Sequence, residues 1–336
     1  MTDNALRILV LGGTAWLGRE VSRQAVNRGH AVSCLARGES GEVADGVTFI
    51  RADRSIDGAY DEARRHEWDA VIEVGWQPRM VREALAALKG QTQQWIYVSS
   101  ASVYASHATL GADESAGLLS PTDQDEAGVD LYGEAKVACE LACLAAGAAD
   151  LLIARSGLIG GPGDASDRAG YWVARAARDP LGTMLVPDSA EATTQVIDVR
   201  DLARWLIDCA EQKIAGIYDA VGPVVALDSW IEISRQVGGH IGPVLRAAPD
   251  WLLAHGVQEF MGDGSLPLWI ADPEWRGFCA RAGDQAAEAG LRHRPMTDTL
   301  SDALAWERQL GLDRARKSGI TAEREADLVA ELATRC

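Results

Sequence analysis

The stretch LVLGGTAWLG, residues 9–18, sets an apolar run directly against three glycines. An apolar run bounded by glycine reads as a buried parallel strand. After it, Leu17, Val21 and Ala25 keep helical spacing until Gly29. A strand that ends in glycines and opens a helix makes an anion site. The helix leaves its first N–H groups unpaired, its dipole favours negative charge, and glycine lets the backbone approach a pyrophosphate. The spacing is Gly12, Ala15, Gly18, with the smallest side chain after glycine in the middle. Thr14, Trp16 and Leu17 complete the candidate phosphate loop. The same residues also suit a plain strand-to-helix turn, so the rest of the chain has to decide.

Strand and helix go on alternating. Strands are expected at 6–12, 30–36, 47–50, 70–75, 94–99 and 151–155, and helices at 16–28, 56–66, 78–88 and 132–147, with Trp68 and Asp69 in the connection before the fourth strand. This rhythm predicts an α/β fold, a Rossmann-type doubly wound parallel sheet. After about residue 160 it loosens. Helices are expected at 198–212, 228–237 and 297–310, and seven of the eleven tryptophans fall between Trp172 and Trp306. The expected division is a dinucleotide-binding domain over 1–160, re-entered near 194–220, and a smaller, mixed substrate-binding region over 161–336.

Apolar residues make up 47% of the 336 and charged residues 24%, with a formal net charge of −17. That is the composition of a globular enzyme, and its acidity disfavours nucleic acid and anionic lipid as partners. A small-molecule substrate is expected, and a homodimer is compatible. The cysteines, at 34, 139, 143, 209, 279 and 336, form no CxxC pair. They read as buried thiols of a reducing compartment, with no metal site. MTDNA carries no charged-then-apolar leader, and the run 141–149 falls short of the ~20 residues a membrane span takes. The expected location is the cytoplasm.

The dinucleotide's identity turns on the end of the second strand. There LARGE, residues 35–39, offers Arg37 in place of an acid that would accept from ribose hydroxyls. A guanidinium pairs bidentately with a 2′-phosphate, which favours NADP, with NAD as the alternative. Arg37 also reads as a solvated loop residue. Asp53, after the third strand, is placed to accept from the adenine amino group, or is an ordinary loop carboxylate.

YGEAK puts Tyr132 and Lys136 four apart, on one face of the predicted helix. Only four of the 32 basic residues are lysine. An ammonium reaches ribose hydroxyls and a phenol oxygen in a way a guanidinium does not. Tyr132 can then give a proton to a carbonyl oxygen, or take one from an alcohol, as hydride moves. WIYVSSASVY, residues 95–104, supplies hydroxyls at a strand's C-terminal end, where open parallel sheets bind ligands. Ser100 is the candidate to polarise the substrate oxygen, with Ser99 and Ser102 as rivals.

Together these pieces resemble the short-chain dehydrogenase/reductase superfamily, in its extended NAD-dependent epimerase/dehydratase branch. GGTAWLG (12–18), ADR (52–54), YVSSASVY (97–104), YGEAK (132–136), RSGLIGGPGD (155–164) and VIDVRDLA (196–203) carry the resemblance, which spans about residues 5–240. Within the branch the chain looks most like isoflavone-reductase-like and epimerase-like bacterial proteins. The resemblance implies catalytic Ser100, Tyr132 and Lys136, with Gly75, Ser156 and Leu158 beside the nicotinamide. Ser156 stands where proline is usual, and Ala101 and Ser102 replace the acid pair of nucleotide-sugar dehydratases. Elimination of water by that route therefore lacks its acid and base.

Three functions compete. The leading one is an NADP-dependent reductase or dehydrogenase acting on a small carbonyl or alcohol. A second is an NAD-dependent nucleotide-sugar epimerase, for which Arg168, Arg175 and Arg178 are candidates to grip a diphosphate. A third is a non-catalytic cofactor sensor on the same fold, which has no use for the Ser100–Tyr132–Lys136 set.

Overall fold

The computed structural model describes residues 5–148 and 150–334; Cys336 and the first four residues of MTDNA lie outside the described residues. The chain runs β1 (Arg7–Leu11), α1 (Trp16–Asn27), β2 (Ala31–Ala36), β3 (Thr48–Arg51), β4 (Trp68–Glu73), α2 (Pro78–Leu88), β5 (Thr92–Ser100), α3 (Tyr132–Ala146), β6 (Leu151–Ser156), β7 (Leu158–Gly160), α4 (Tyr171–Arg178), β8 (Met184–Pro187), β9 (Thr193–Asp198), α5 (Val199–Gln212) and β10 (Gly216–Ala220). Then follow β11 (Val224–Ala226), α6 (Leu227–Gly238), β12 (Val244–Ala247), α7 (Pro249–Ala254), β13 (Gln258–Phe260), β14 (Ser265–Pro267), α8 (Asp284–Glu288), α9 (Met296–Leu310) and α10 (Ala322–Ala333).

Seven parallel strands form the central sheet in the order β10-β6-β5-β4-β1-β2-β3. The order reverses between β1 and β4, the place where such sheets open a crevice for a ligand. β1 shows why the sheet is covered on both sides. Its Ile8 and Val10 pack with Val21 and Ala25 of α1 and Trp205 of α5. Leu9 and Leu11 face the other way, onto Val81 and Leu85 of α2 and Cys139 and Cys143 of α3. A strand buried on both faces has no polar side to alternate with. A separate core gathers Trp172, Trp230 and Trp269 with Leu300 of α9, so these tryptophans are packing residues. Three small sheets, β11-β9-β7, β12-β8 and β13-β14, belong to this later part of the chain.

Two local expectations fail. Residues 56–66 form no α-helix; a short 3-10 turn, Ala63–Arg65, is all that is helical there. Gly58 sits at φ +80 and breaks the helix, so Ala59, Tyr60 and Ala63 reach the core from turns while Ile56 stays 60% exposed. Trp68 and Asp69 belong to β4 itself, whose buried indole donates to the Ala63 carbonyl at 3.0 Å. β4 accordingly ends at Glu73 and leaves Gly75 in the loop beyond.

Candidate active site

The turn from β1 into α1 depends on its glycines, Gly13 among them, where a Cβ would lie 2.1 Å from the Cys34 sulfur. Gly12 has φ +92, a region most side chains avoid. A Cβ on Gly18 would come within 2.5 Å of the Gly12 carbonyl oxygen. Ala15 is the N-cap of α1 at φ −79 with an exposed methyl, so the middle position takes alanine without strain. α1 opens with no side-chain cap and no acid in its first turn, so its leading N–H groups stay available to an anion. Thr14 is buried, Leu17 packs on the core, and the Trp16 indole donates to the Pro162 carbonyl at 2.8 Å. That bond ties the loop to the glycine-rich segment after β7. A helix end without its own acid, reached by glycine-framed backbone, fits a pyrophosphate.

At the ends of β2 and β3, Arg37 is half exposed and pairs with Glu39 at 3.2 Å. Asp53 turns Oδ1 onto the Ser55 hydroxyl and N–H, which hold its carboxyl below the usual range, with a smaller pull from Arg37. The next residue, Arg54, goes inward. Its guanidinium forks onto the Glu73 carboxylate, with Nη1 to Oε1 at 2.9 Å, and it also donates to Tyr60 and to the Met80 carbonyl. Both partners are buried. The Glu73 carboxylate raises the guanidinium's pKa against the cost of burial. Oε1 of Glu73 also accepts from the Gly75 N–H at 2.6 Å, which fixes the loop after β4. The sequence gives no sign of this pair, because Arg54 and Glu73 meet only when β3 and β4 are folded.

The sheet's C-terminal edge brings the proton-transfer candidates near one another. Ser100 is opposite Ser156 in register. The Ser100 hydroxyl donates to the Ser102 Oγ at 3.2 Å and accepts from the Ser102 N–H at 3.1 Å. Ser99 is buried and bonded to Glu140 at 2.5 Å, so it faces away from any substrate. Ser156 donates to the Gly157 carbonyl, and Leu158 is buried beside it. Tyr132 is the first residue of α3, its ring 5.4 Å from that of Trp76. One turn on, Lys136 is only 3% exposed. Its Nζ donates to the carbonyls of Gly75 at 3.0 Å and Val98 at 2.7 Å and lies 5.9 Å from the Tyr132 ring centre. An ammonium has three donors, so one remains beyond these two carbonyls.

Behind them runs a buried polar chain that sequence reasoning missed. Glu140, two turns beyond Tyr132, accepts a fork from Arg155, with Nη2 to Oε2 at 2.8 Å. Arg155 donates to the Tyr104 hydroxyl at 3.0 Å, which donates to Asp219 at 2.6 Å. Arg281 donates to the other Asp219 oxygen at 2.7 Å and covers the Tyr104 ring. Burial pushes the Asp219 carboxyl up to about 6, against the pull of Tyr104 and Arg281. The spacing Tyr132, Lys136, Glu140 is the one trace of it in the sequence.

Arg175 and Arg178 do not line the site. Both pair with Glu325 of α10, Arg175 at 2.6 Å and Arg178 at 3.2 Å. Among the described residues no cluster fits a metal ion, five buried cysteines carry free thiols, and no helix is long and apolar enough to cross a membrane.

Solved structures share this architecture. A candidate epimerase from Burkholderia cenocepacia J2315 matches at TM-score 0.69 and 20% identity, over 90% of this chain and 98% of that one. UDP-glucuronic acid 4-epimerase from Bacillus cereus, solved with NAD, matches at TM-score 0.63 and 16% identity, over 91% and 99%. At such identities the likeness establishes the fold. Photosystem II assembly factor Ycf39 of Synechocystis is 30% identical over 91 residues, 22% of this chain. The match covers 28% of that curated relative's length. The sequence profile of the NAD dependent epimerase/dehydratase family fits residues 8–219, from β1 through most of β10, and with the glycine loop, the reversal between β1 and β4 and the sheet it spans, the chain belongs to that family of NAD(P)-dependent enzymes.

Proposed function

We propose that this chain is an NADP-dependent oxidoreductase acting on a small carbonyl or alcohol substrate, with Ser100, Tyr132 and Lys136 as its catalytic set. The nicotinamide, when bound, supplies or accepts the hydride. Tyr132 supplies the proton to the substrate oxygen, or removes it in the reverse direction. Lys136 places a positive charge beside that phenol and offers its third N–H to the ribose. Ser100, its oxygen still held by the Ser102 N–H, turns its proton from the Ser102 hydroxyl to the substrate oxygen and fixes its direction. Gly12, Thr14, Ala15, Trp16, Leu17 and Gly18 hold the pyrophosphate, Arg37 the 2′-phosphate and Asp53 the adenine. Gly75, Ser156 and Leu158 flank the nicotinamide.

The observation that carries this reading is the buried Lys136. A lysine ammonium is costly to bury unless its N–H groups are bonded; here two carbonyls take two of them, one turn from Tyr132, and the third is left for a ligand. The epimerase alternative loses two of its three diphosphate candidates, because Glu325 engages Arg175 and Arg178. A non-catalytic sensor gives no role to a lysine next to a phenol. The test is calorimetric titration of the purified protein with NADP and with NAD. Tighter NADP binding supports the reading, and equal affinities overturn the NADP preference.

A further inference from the structure

With Arg175 and Arg178 engaged elsewhere, Arg168 stands apart. It lies in the segment between β7 and α4, half-buried, in a chain that carries 49 acidic residues against 32 basic ones. Its Nε donates to the Ser166 hydroxyl at 3.0 Å, and its Nη1 makes a long contact, 3.7 Å, to the Met261 sulfur. Among the described residues no carboxylate oxygen comes within ion-pair distance of it. Asp164, the acid nearby, is turned onto the Ser166 hydroxyl and the N–H groups of Ser166 and Ala169. The guanidinium lies over the Phe260 ring at 5.3 Å, and both Asp164 and the Tyr132 phenol are near enough to act on its charge.

Phe260 is itself unusual. It holds φ +60, a strained value for an aromatic residue, fixed by its N–H to the Trp269 carbonyl at 2.8 Å. Strain of this kind costs about 1–3 kcal/mol and persists where the surroundings impose it, often beside a ligand. The ring meets Phe278 edge-on at 5.4 Å, and Phe278 meets Trp275, which is 49% exposed. A partly open aromatic wall therefore carries one partly desolvated guanidinium with no carboxylate paired to it among the described residues.

We infer that Arg168 and Phe260 form a substrate subsite for an organic anion, a carboxylate or phosphate group joined to an apolar or aryl body that rests on Phe260 and Phe278. This rests on the oxidoreductase reading, which supplies the carbonyl or alcohol substrate to which the anion would belong. A guanidinium on an aromatic ring offers its remaining N–H groups in the plane of the fork, the geometry that carboxylates and phosphates take. An uncharged substrate would leave that cation partly desolvated and unpaired.

The experiment measures binding to the full chain by calorimetry, with and without saturating NADP. The probes are phenylpyruvate, phenyl phosphate and the uncharged ketone phenylacetone. At least one anion should bind about ten- to hundred-fold tighter than phenylacetone, the effect of one charge-assisted fork. Whether phenylpyruvate or phenyl phosphate is the tighter tells carboxylate from phosphate. Arg168→Gln should remove the difference and leave NADP affinity unchanged. Tyr132→Phe should retain anion binding, so a failed proton-transfer reading and a failed subsite give different results. Equal binding of phenylacetone and the anions by the unaltered protein, no anion binding at all, or unchanged anion affinity in Arg168→Gln would each overturn the subsite. The comparison on the unaltered protein decides the matter even if the variant fails to fold.

Discussion

Lys136 donates its ammonium to the Gly75 carbonyl at 3.0 Å, joining the helix of the catalytic candidates to the loop after β4. The same Nζ reaches the Val98 carbonyl on β5 at 2.7 Å, so one side chain ties the end of β4 to the neighbouring strand β5. Lys136→Met keeps the stem and removes both bonds. It leaves two carbonyls unpaired, each costing about 1–3 kcal/mol if water cannot reach it. Urea unfolding should show that loss, and NADP affinity should fall with it. Unchanged stability and unchanged affinity would mean that the lysine is only packed there.

Tyr132→Phe keeps the ring against Trp76 and removes the proton. Cofactor affinity should hold, and turnover should drop by about 100-fold or more, the range for a lost general acid. Both are to be measured on one preparation. Retained turnover would move the acid to another group in the cleft.

Tyr132 and Lys136 are legible in the sequence because helical spacing alone puts them on one face. Glu140 continues the spacing, yet a helical glutamate ordinarily faces water, and nothing local to it announces Arg155 on β6. The glycine loop is legible for a related reason: its requirements are met within seven residues. Arg54 and Glu73 are illegible because their contact is made between strand ends. Residues 56–66 mislead in the opposite direction. Their spacing is helical and Ala59, Tyr60 and Ala63 are buried, yet the positive φ of Gly58 breaks the helix and leaves Ile56 exposed. Arg168, Arg175 and Arg178 look alike in the sequence, and a carboxylate 147 residues downstream of Arg178 separates them.

Arg37 meets Glu39 through one nitrogen at 3.2 Å, so this carboxylate competes with a 2′-phosphate for the exposed guanidinium. Arg37→Asp should weaken NADP binding by about ten- to hundred-fold, the value of a charge-assisted phosphate contact, and spare NAD. Glu39→Gln should strengthen NADP binding, because it frees the guanidinium. Paired titrations at low and high salt check both, since exposed charges are screened. No change in either variant would place the ribose phosphate elsewhere.

Glu73→Gln leaves Arg54 buried without a counter-charge, and breaking such a pair costs about 3–5 kcal/mol. Replacing both, Arg54→Met with Glu73→Leu, should recover much of that loss. Denaturant titrations of the unaltered protein, Arg54→Met, Glu73→Leu and the double variant give the coupling. The Glu73→Gln variant should also bind NADP less tightly, because the Glu73 Oε1 holds the Gly75 N–H whose carbonyl Lys136 uses. Additive losses in the double variant would mean the two charges do not act as a pair.

His107 gives the protein an acid limit. Its ring stacks on Trp275 at 4.8 Å and meets Phe278 edge-on, and its Nδ1 is buried without a partner. Burial, with a smaller push from the Arg281 guanidinium, lowers its pKa from 6.5 to about 4. Between those values the unfolded chain takes up a proton that the native ring refuses. Stability from this residue is therefore complete above pH ~6.5 and drains as pH falls towards ~4, by up to about 3 kcal/mol. Asp219 works in the opposite sense: its raised pKa, about 6, makes the native state hold the extra proton, so its contribution falls as pH rises from ~4 to ~6. The two overlap, and a single pH profile cannot separate them. His107→Gln isolates the histidine. The variant should be less stable at neutral pH through lost stacking, yet its stability should decline less steeply from pH 6.5 to 4 than that of the unaltered protein. Urea unfolding at half-unit pH steps reads the difference, and parallel profiles would show that His107 titrates alike in the folded and unfolded chain.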